Sequence, residues 1–138
     1  MPSAIQSDTP PRKRLWIGRT LSAIAVLFLI FDGVIHIMVI APVVESFNQL
    51  GYPVDLALPL GIIEILCLAL YLIPTTSILG AVLLTGYLGG AIATQLRVGA
   101  PLLSTTLFPI YIGIMFWGGL FLRDARLHSL FPLRKTGS

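Results

Sequence analysis

The residues best suited to chemistry are an aspartate and a histidine within a long apolar segment. Between Trp16 and Ile40 the charged or titratable side chains are Arg19, near the start, Asp32 and His36. Their spacing places Asp32 and His36 on one face of a helix, one turn apart. An imidazole that is oriented by a carboxylate can act as a general base. Because an ionisable group near mid-bilayer costs about 2.5–3.5 kcal/mol, such a pair is expected to have a partner or a task.

A second carboxylate, Glu64, lies in the next apolar segment and would serve as the general acid of a catalytic set with Asp32 and His36. The same three residues could instead form a structural network, since hydrogen bonds between membrane helices average about 0.6 kcal/mol. One histidine and two carboxylates also resemble a facial metal triad. Their positions in the sequence do not show that they face one another, so we predict no metal.

The composition indicates an integral membrane protein of one domain. Of its 138 residues, 56% are hydrophobic and 11% charged, with a mean hydropathy of +0.92, whereas about a quarter of the residues of soluble domains are charged. The net charge of +3 comes from basic residues near the chain ends, not from a face interleaved with aromatics. We therefore predict no nucleic-acid partner. The single cysteine, Cys67, excludes an internal disulfide and a multi-cysteine metal site.

Four apolar segments must position these residues, and each is long enough to cross about 30 Å of hydrocarbon. The predicted spans are about 16–40, 56–73, 78–96 and 103–122. They form a membrane domain over residues 15–127, between a disordered basic tail, 1–14, and a second tail, 128–138. Pro42 should end the first span and open a polar loop that includes Glu45 and Asp55. The predicted fold class is therefore all-α, an integral membrane four-helix bundle.

Basic residues predict the orientation. Eight of the nine lysines and arginines lie near the start of the first span or after the end of the fourth, and only Arg97 lies on the opposite side. The positive-inside rule then places both termini in the cytoplasm, most simply of a bacterial cytoplasmic membrane. In the third span, Gly86 and Gly90 form a Gly-x-x-x-Gly pair, which predicts close helix packing within the bundle or, alternatively, a homodimer.

Counting 1.5 Å per residue from the predicted outer end of each span estimates the depth of its polar side chains. Asp32, Glu64 and Tyr111 lie at about 12 Å, Tyr87 lies at about 13–14 Å, and His36 lies at about 6 Å. Four helices thus carry polar groups at similar depths. If these faces point inward, they form a polar pocket in the outer half of the bundle.

Two further polar residues lie closer to the outer surface. Gln95 is near the outer boundary and Arg97 lies just past it. We expect Arg97 at the mouth of the pocket, where it could neutralise a carboxylate, or else extended toward the lipid headgroups. The predicted ligand-binding residues are Tyr87, Gln95, Arg97 and Tyr111.

Several motifs resemble the DoxX-like family of small four-helix membrane proteins. They are residues 31–36 (FDGVIH), 50–53 (LGYP), 60–64 (LGIIE), 80–94 (GAVLLTGYLGGAIAT) and 95–99 (QLRVG). The resemblance covers nearly all of the chain from Ile24 to Arg134 and implies the fold and the membrane location. Gln95 stands where the family often has histidine. The family takes its name from a membrane subunit of a quinone-linked thiosulfate-oxidising complex, so the resemblance implies a quinone as a candidate cofactor.

Three functions follow as hypotheses. The first is an accessory or binding protein, for instance of a quinone-linked redox system, that receives a hydrophobic molecule with a polar head. The second is an intramembrane acid–base enzyme, an isomerase or a hydratase or hydrolase, acting on a lipophilic substrate. The third is a small proton-linked transporter, for which the sequence shows no inverted repeat. Under all three hypotheses, the expected partners of the protein are the lipid bilayer, a hydrophobic small molecule, and a second copy or a membrane complex.

Overall fold

The structure, a computed structural model, describes residues 11–130. Its helices are α1 (Arg12–Met38), α2 (Ala41–Leu50), α3 (Ala57–Leu72), α4 (Ser77–Arg97), α5 (Phe108–Arg123) and α6 (Ala125–Leu130). A 3-10 turn, Val54–Leu56, precedes α3, and a π-helical turn, Leu102–Thr106, precedes α5. The described residues contain no strand, so the predicted all-α class is confirmed.

Four segments are long and apolar enough to span a membrane, and they match the predicted spans. They are Arg12–Met38, Val54–Leu72, Ser77–Arg97 and Leu102–Arg123. The first begins at Arg12 rather than Trp16, so residues 12–14 are helical and not part of a disordered tail. Residues 1–10 of that tail, and residues 131–138 of the second, lie outside the described residues. The cytoplasmic location of the termini stays a prediction.

The spans pack as a four-helix bundle in which α1 and α4 each contact both α3 and α5. Glycines allow the backbones to approach closely along α1. A Cβ added to Gly61 would lie 2.8 Å from the carbonyl oxygen of Gly33, and one added to Gly18 would lie 2.9 Å from that of Gly119. The outer surface carries large apolar side chains such as Leu27 and Leu66, each at least 60% exposed, which is the surface expected against lipid.

The segment predicted as a polar loop is instead the short helix α2, so that part of the prediction is wrong. Pro42 lies in the first turn of α2 and begins this helix, because a missing N–H is tolerated there. Gly51 ends it with a left-handed φ of 71°. Val43 and Phe47, four residues apart, are buried against Ala57 of α3, while Glu45 faces outward. An amphipathic helix therefore covers one end of the bundle, called here the α2 end.

The opposite end of the bundle contains a buried polar network that the sequence analysis did not anticipate. The hydroxyl of Tyr71 donates to the carbonyl oxygen of Phe116 at 2.7 Å and lies 2.9 Å from the hydroxyl of Ser22. The Nε of Arg123 donates to the same serine oxygen at 3.2 Å, and its guanidinium lies 5.4 Å from the centre of the Tyr71 ring. These contacts join α1, α3 and α5.

Removing the Tyr71 hydroxyl should therefore destabilise the bundle. Tyr71→Phe is expected to lower the free energy of unfolding by about 1–2 kcal/mol, because two hydrogen-bond partners lose a buried hydroxyl. Thermal unfolding of the protein in detergent, followed by tryptophan fluorescence, measures the change. Tyr111→Phe is the matched control, since the Tyr111 hydroxyl is exposed. Equal losses of stability in the two variants would contradict this role of the network.

Candidate functional site

A cavity of about 720 Å³ lies inside the bundle at the α2 end. It is bounded by the second half of α1, by α2, by α3 and α4, and by the start of α5. Most of its wall is apolar. The polar side chains that line it are Asp32, His36, Ser46, Tyr52, Glu64, Tyr87, Thr94, Gln95, Ser104 and Thr105.

The structure brings the two carboxylates and the imidazole together. Asp32, His36 and Glu64 each offer a nitrogen or oxygen atom, and these atoms all lie within 4.8 Å of one another. Asp32 and His36 reach this position from α1, and Glu64 from the neighbouring face of α3. The close approach of Gly33 to Gly61 allows these two helices to meet beside the cluster.

The geometry of His36 identifies the tautomer of its neutral ring. Its Nδ1 lies 2.7 Å from the main-chain carbonyl oxygen of Asp32 and 3.5 Å from Oδ2 of the same residue. A carbonyl oxygen can only accept, so Nδ1 carries the proton and donates it. The other ring nitrogen, Nε2, then has a free lone pair in the neutral ring, which allows it to act as a base or a ligand.

Glu64 is fully buried, with 0% of its surface exposed, and only one of its carboxyl oxygens has a partner. The hydroxyl of Tyr87 donates to Oε2 at 3.2 Å. Oε1 receives no hydrogen bond from a donor group of the described residues, and the nearby carboxyl of Asp32 can bond to Glu64 only when one of the two carries a proton. An unsatisfied buried polar group costs about 1–3 kcal/mol. Glu64 borders the cavity but has no exposed surface, so a molecule or ion bound there would relieve this cost after a small movement of the side chains that cover Oε1.

The rim of the cavity is held by contacts between α4 and the turn after α2. The hydroxyl groups of Tyr52 and Thr94 lie 2.9 Å apart. Arg97 donates to the carbonyl oxygen of Leu50, and its guanidinium lies 5.7 Å from the centre of the Tyr52 ring. Leu50, Tyr52 and Gln95 line the cavity. Arg97 does not line it and instead connects α4 to the end of α2 through the Leu50 carbonyl. Arg97 therefore contacts a carbonyl here, and not the carboxylate expected from the sequence.

Tyr111 lies apart from the site. It is 44% exposed, and its hydroxyl donates to the carbonyl oxygen of Leu103 at 3.2 Å. Its neighbour Ile112 faces the cavity instead. The depth of Tyr111 had suggested a place in the pocket, but depth along a helix does not determine which side of the helix a residue occupies.

The sequence analysis missed five polar lining residues, which are Ser46, Tyr52, Thr94, Ser104 and Thr105. Thr94 follows Tyr87 by seven residues, a spacing that returns to the same face of a helix, so this signal was present in the sequence. Tyr52 lies in a turn, where no periodicity applies.

Gly86 and Gly90 also line the cavity, and they do not pack against another helix. A Cβ added to either would meet no atom within 4 Å. The prediction that this glycine pair packs within the bundle is therefore wrong. The absence of side chains on this face of α4 instead leaves space in the cavity wall.

Comparison with known proteins agrees with this architecture. The model of the DoxX-like family matches residues 20–119, a range that contains the whole of the Asp32, His36 and Glu64 cluster. No curated protein and no solved structure matches the chain significantly. With four apolar spans and a family match over most of its length, the chain belongs to the DoxX-like family and is a multi-pass membrane protein.

Proposed function

We propose that the protein binds a membrane-soluble molecule with an apolar body and a polar head group in the cavity at the α2 end. One observation carries this proposal. Glu64 is fully buried, its Oε1 receives no hydrogen bond from a donor group among residues 11–130, and it borders a cavity that is otherwise mostly apolar. A head group that hydrogen-bonds to Oε1 would satisfy this atom, and an apolar body would cover the remaining wall.

The size and chemistry of the cavity support such a ligand. Its volume of about 720 Å³ falls within the range of about 300–1,000 Å³ that is usual for small-molecule sites. Phe28, Leu60 and Phe108 provide apolar wall. Glu64 on α3 and Gln95 on α4 offer polar contacts at two points of the wall. The head group of the ligand would thus form hydrogen bonds, and its apolar body would pack against the remaining wall.

A quinone is one class of molecule that meets these requirements. Its carbonyl oxygens accept hydrogen bonds, which a protonated Glu64 can donate from Oε1. Asp32 and His36, within 4.8 Å of Glu64, could exchange the protons that accompany quinone reduction. The single cysteine excludes a four-cysteine iron–sulfur cluster, and His36 and His128 lie at opposite ends of the bundle, so they cannot ligate one haem as a pair. The protein would then be an accessory subunit whose partner carries the electrons.

The cluster geometry also favours a second candidate, an acid–base enzyme that acts on a lipophilic substrate. The Nδ1 of His36 is held by the Asp32 carbonyl, which leaves Nε2 as the base, and Glu64 would be the acid. Both candidates place the same molecule in the same cavity. They differ in whether the protein converts that molecule chemically before releasing it.

The test is to purify the full-length protein directly into nanodiscs from its own membrane and to identify the extracted small molecules by mass spectrometry. We expect one lipophilic compound near one molecule per chain. Glu64→Leu should reduce its recovery at least about tenfold, since a hydrogen bond to a buried polar group is lost. Tyr111→Phe, outside the cavity, should not. Recovery of bulk membrane lipids alone, equal in both variants, would refute the proposal.

Incubating the purified protein with the recovered compound separates the two candidates. A binding protein returns the compound unchanged. An enzyme converts it, and His36→Gln should abolish that conversion while the compound still binds.

A further inference from the structure

The same cluster has the composition and geometry of a metal site. We propose that Asp32, His36 and Glu64 bind one divalent cation of the first transition series, such as Mn²⁺, Fe²⁺ or Zn²⁺. This inference goes beyond the proposed function and does not depend on it, because the ion could bind with or without a lipophilic molecule in the cavity.

Distance is the first argument. One donor atom from each of the three residues lies within 4.8 Å of the others. Bonds from nitrogen and oxygen to these metals are about 2.0–2.2 Å, so three donors that surround one ion lie about 3.3–3.8 Å from one another. The cluster must contract by about 1 Å or more to enclose an ion, which rotation of the three side chains can supply.

The orientation of His36 is the second argument. Its Nδ1 donates to the main-chain carbonyl of Asp32 at 2.7 Å. A histidine that ligates a metal almost always donates its other ring N–H to a carboxylate, a carbonyl or water, which orients the ring and raises its basicity. The hydrogen bond from Tyr87 to Oε2 of Glu64 would orient a second ligand in the same way.

Charge is the third argument. Glu64 is fully buried, and Asp32, whose side chain is 32% exposed, lies beside it. When both carboxylates are ionised they repel each other and lose hydration, which is costly without a compensating cation. Among residues 11–130, the one lysine or arginine at the α2 end is Arg97, which donates to the Leu50 carbonyl. A divalent cation would balance both carboxylates. It would also give the buried Oε1 of Glu64 the electropositive partner that no donor group of the described residues supplies.

The donor set indicates the class of ion. Carboxylates suit Mg²⁺, Ca²⁺ and Mn²⁺, whereas imidazole suits Zn²⁺, Fe²⁺ and the later transition metals. One imidazole with two carboxylates therefore favours Mn²⁺, Fe²⁺ and Zn²⁺ over the alkaline-earth ions. Three protein ligands leave further coordination positions that can face the cavity.

Metal binding by the full-length protein tests the proposal. The protein, purified with a tag that contains no histidine and treated with a chelator, is titrated with Co²⁺, whose visible absorption reports its ligands, and with Zn²⁺ by calorimetry. We expect one ion per chain. His36→Gln and Glu64→Gln should each weaken binding about 100-fold, and the Co²⁺ spectrum of His36→Gln should lose the features of a nitrogen ligand.

The control uses the second histidine. His128 lies at the opposite end of the bundle, where it contacts Arg14 and the Phe121 carbonyl. His128→Gln should therefore leave the affinity and the spectrum unchanged. Thermal unfolding shows whether each variant is folded. If Glu64→Gln does not fold, the His36→Gln variant tests the metal site on its own, because His36 is only half-buried.

Three outcomes would overturn the metal site: no saturable Co²⁺ or Zn²⁺ binding, undiminished binding by His36→Gln, or an equal loss in His128→Gln. None of them bears on the proposed function. If the protein binds no metal but its Glu64→Leu variant loses the lipophilic compound, the proposed function stands and the metal site is refuted.

Discussion

Gly80→Ala is expected to destabilise the bundle, whereas Gly89→Ala on the same helix should leave it as stable as before or slightly more stable. A Cβ added to Gly80 would contact the main-chain nitrogen of Tyr71 and lie 2.6 Å from its Cα. Main-chain atoms cannot move aside as a flexible side chain can, so α3 and α4 must separate. Overpacking of this kind costs about 1–3 kcal/mol. The displacement would also disturb the hydroxyl of Tyr71 and its buried network.

Gly89 is the matched control for this prediction. A Cβ there would meet no atom within 4 Å, and alanine is favoured over glycine within a helix by about 0.5–1 kcal/mol. Thermal unfolding in detergent and the yield of folded protein measure both variants. Equal stability of the two variants would show that α3 and α4 are not in contact at Gly80.

Gly90→Phe is expected to eliminate binding of the lipophilic molecule while the bundle remains folded. Gly90 lines the cavity, and its Cβ would enter open space. A phenylalanine side chain would therefore occupy part of the cavity without displacing another helix. Because a bound molecule and the new ring would require the same space, recovery of the compound should fall at least about tenfold, a change of about 1.4 kcal/mol or more.

Gly89→Phe separates this effect from the general consequences of adding a ring to α4. Gly89 is the preceding residue and has the same open surroundings, but it does not line the cavity. Mass spectrometry of nanodisc extracts should find the compound in Gly89→Phe and not in Gly90→Phe. Similar recovery from both variants would place the binding site elsewhere.

The core of the candidate site could be predicted from the sequence because it follows from helix geometry. Asp32 and His36 are four residues apart, and counting along the spans places Glu64 and Tyr87 at a similar depth. The structure has these four residues lining one cavity. Their proposed roles in binding or catalysis remain predictions.

The same counting failed at Tyr111 because depth is only one of two coordinates on a helix. The second is the angle around the helix axis, and it depends on how α5 packs against α1 and α4. The structure turns Ile112 toward the cavity and Tyr111 away from it. An apolar span with polar residues at few positions contains too little pattern to predict this angle.

The composition and the four apolar runs by themselves determined that this is a helical membrane protein, since only helices satisfy the main-chain hydrogen bonds of such segments in lipid. Only the tertiary structure decided that Gly33 and Gly61 bring α1 and α3 together beside the cluster, and that Gly86 and Gly90 border open space. The sequence does not show which of these four glycines contacts another helix. They differ because the contact of a glycine is made by atoms from another helix, and the path of that helix depends on the packing of the whole bundle.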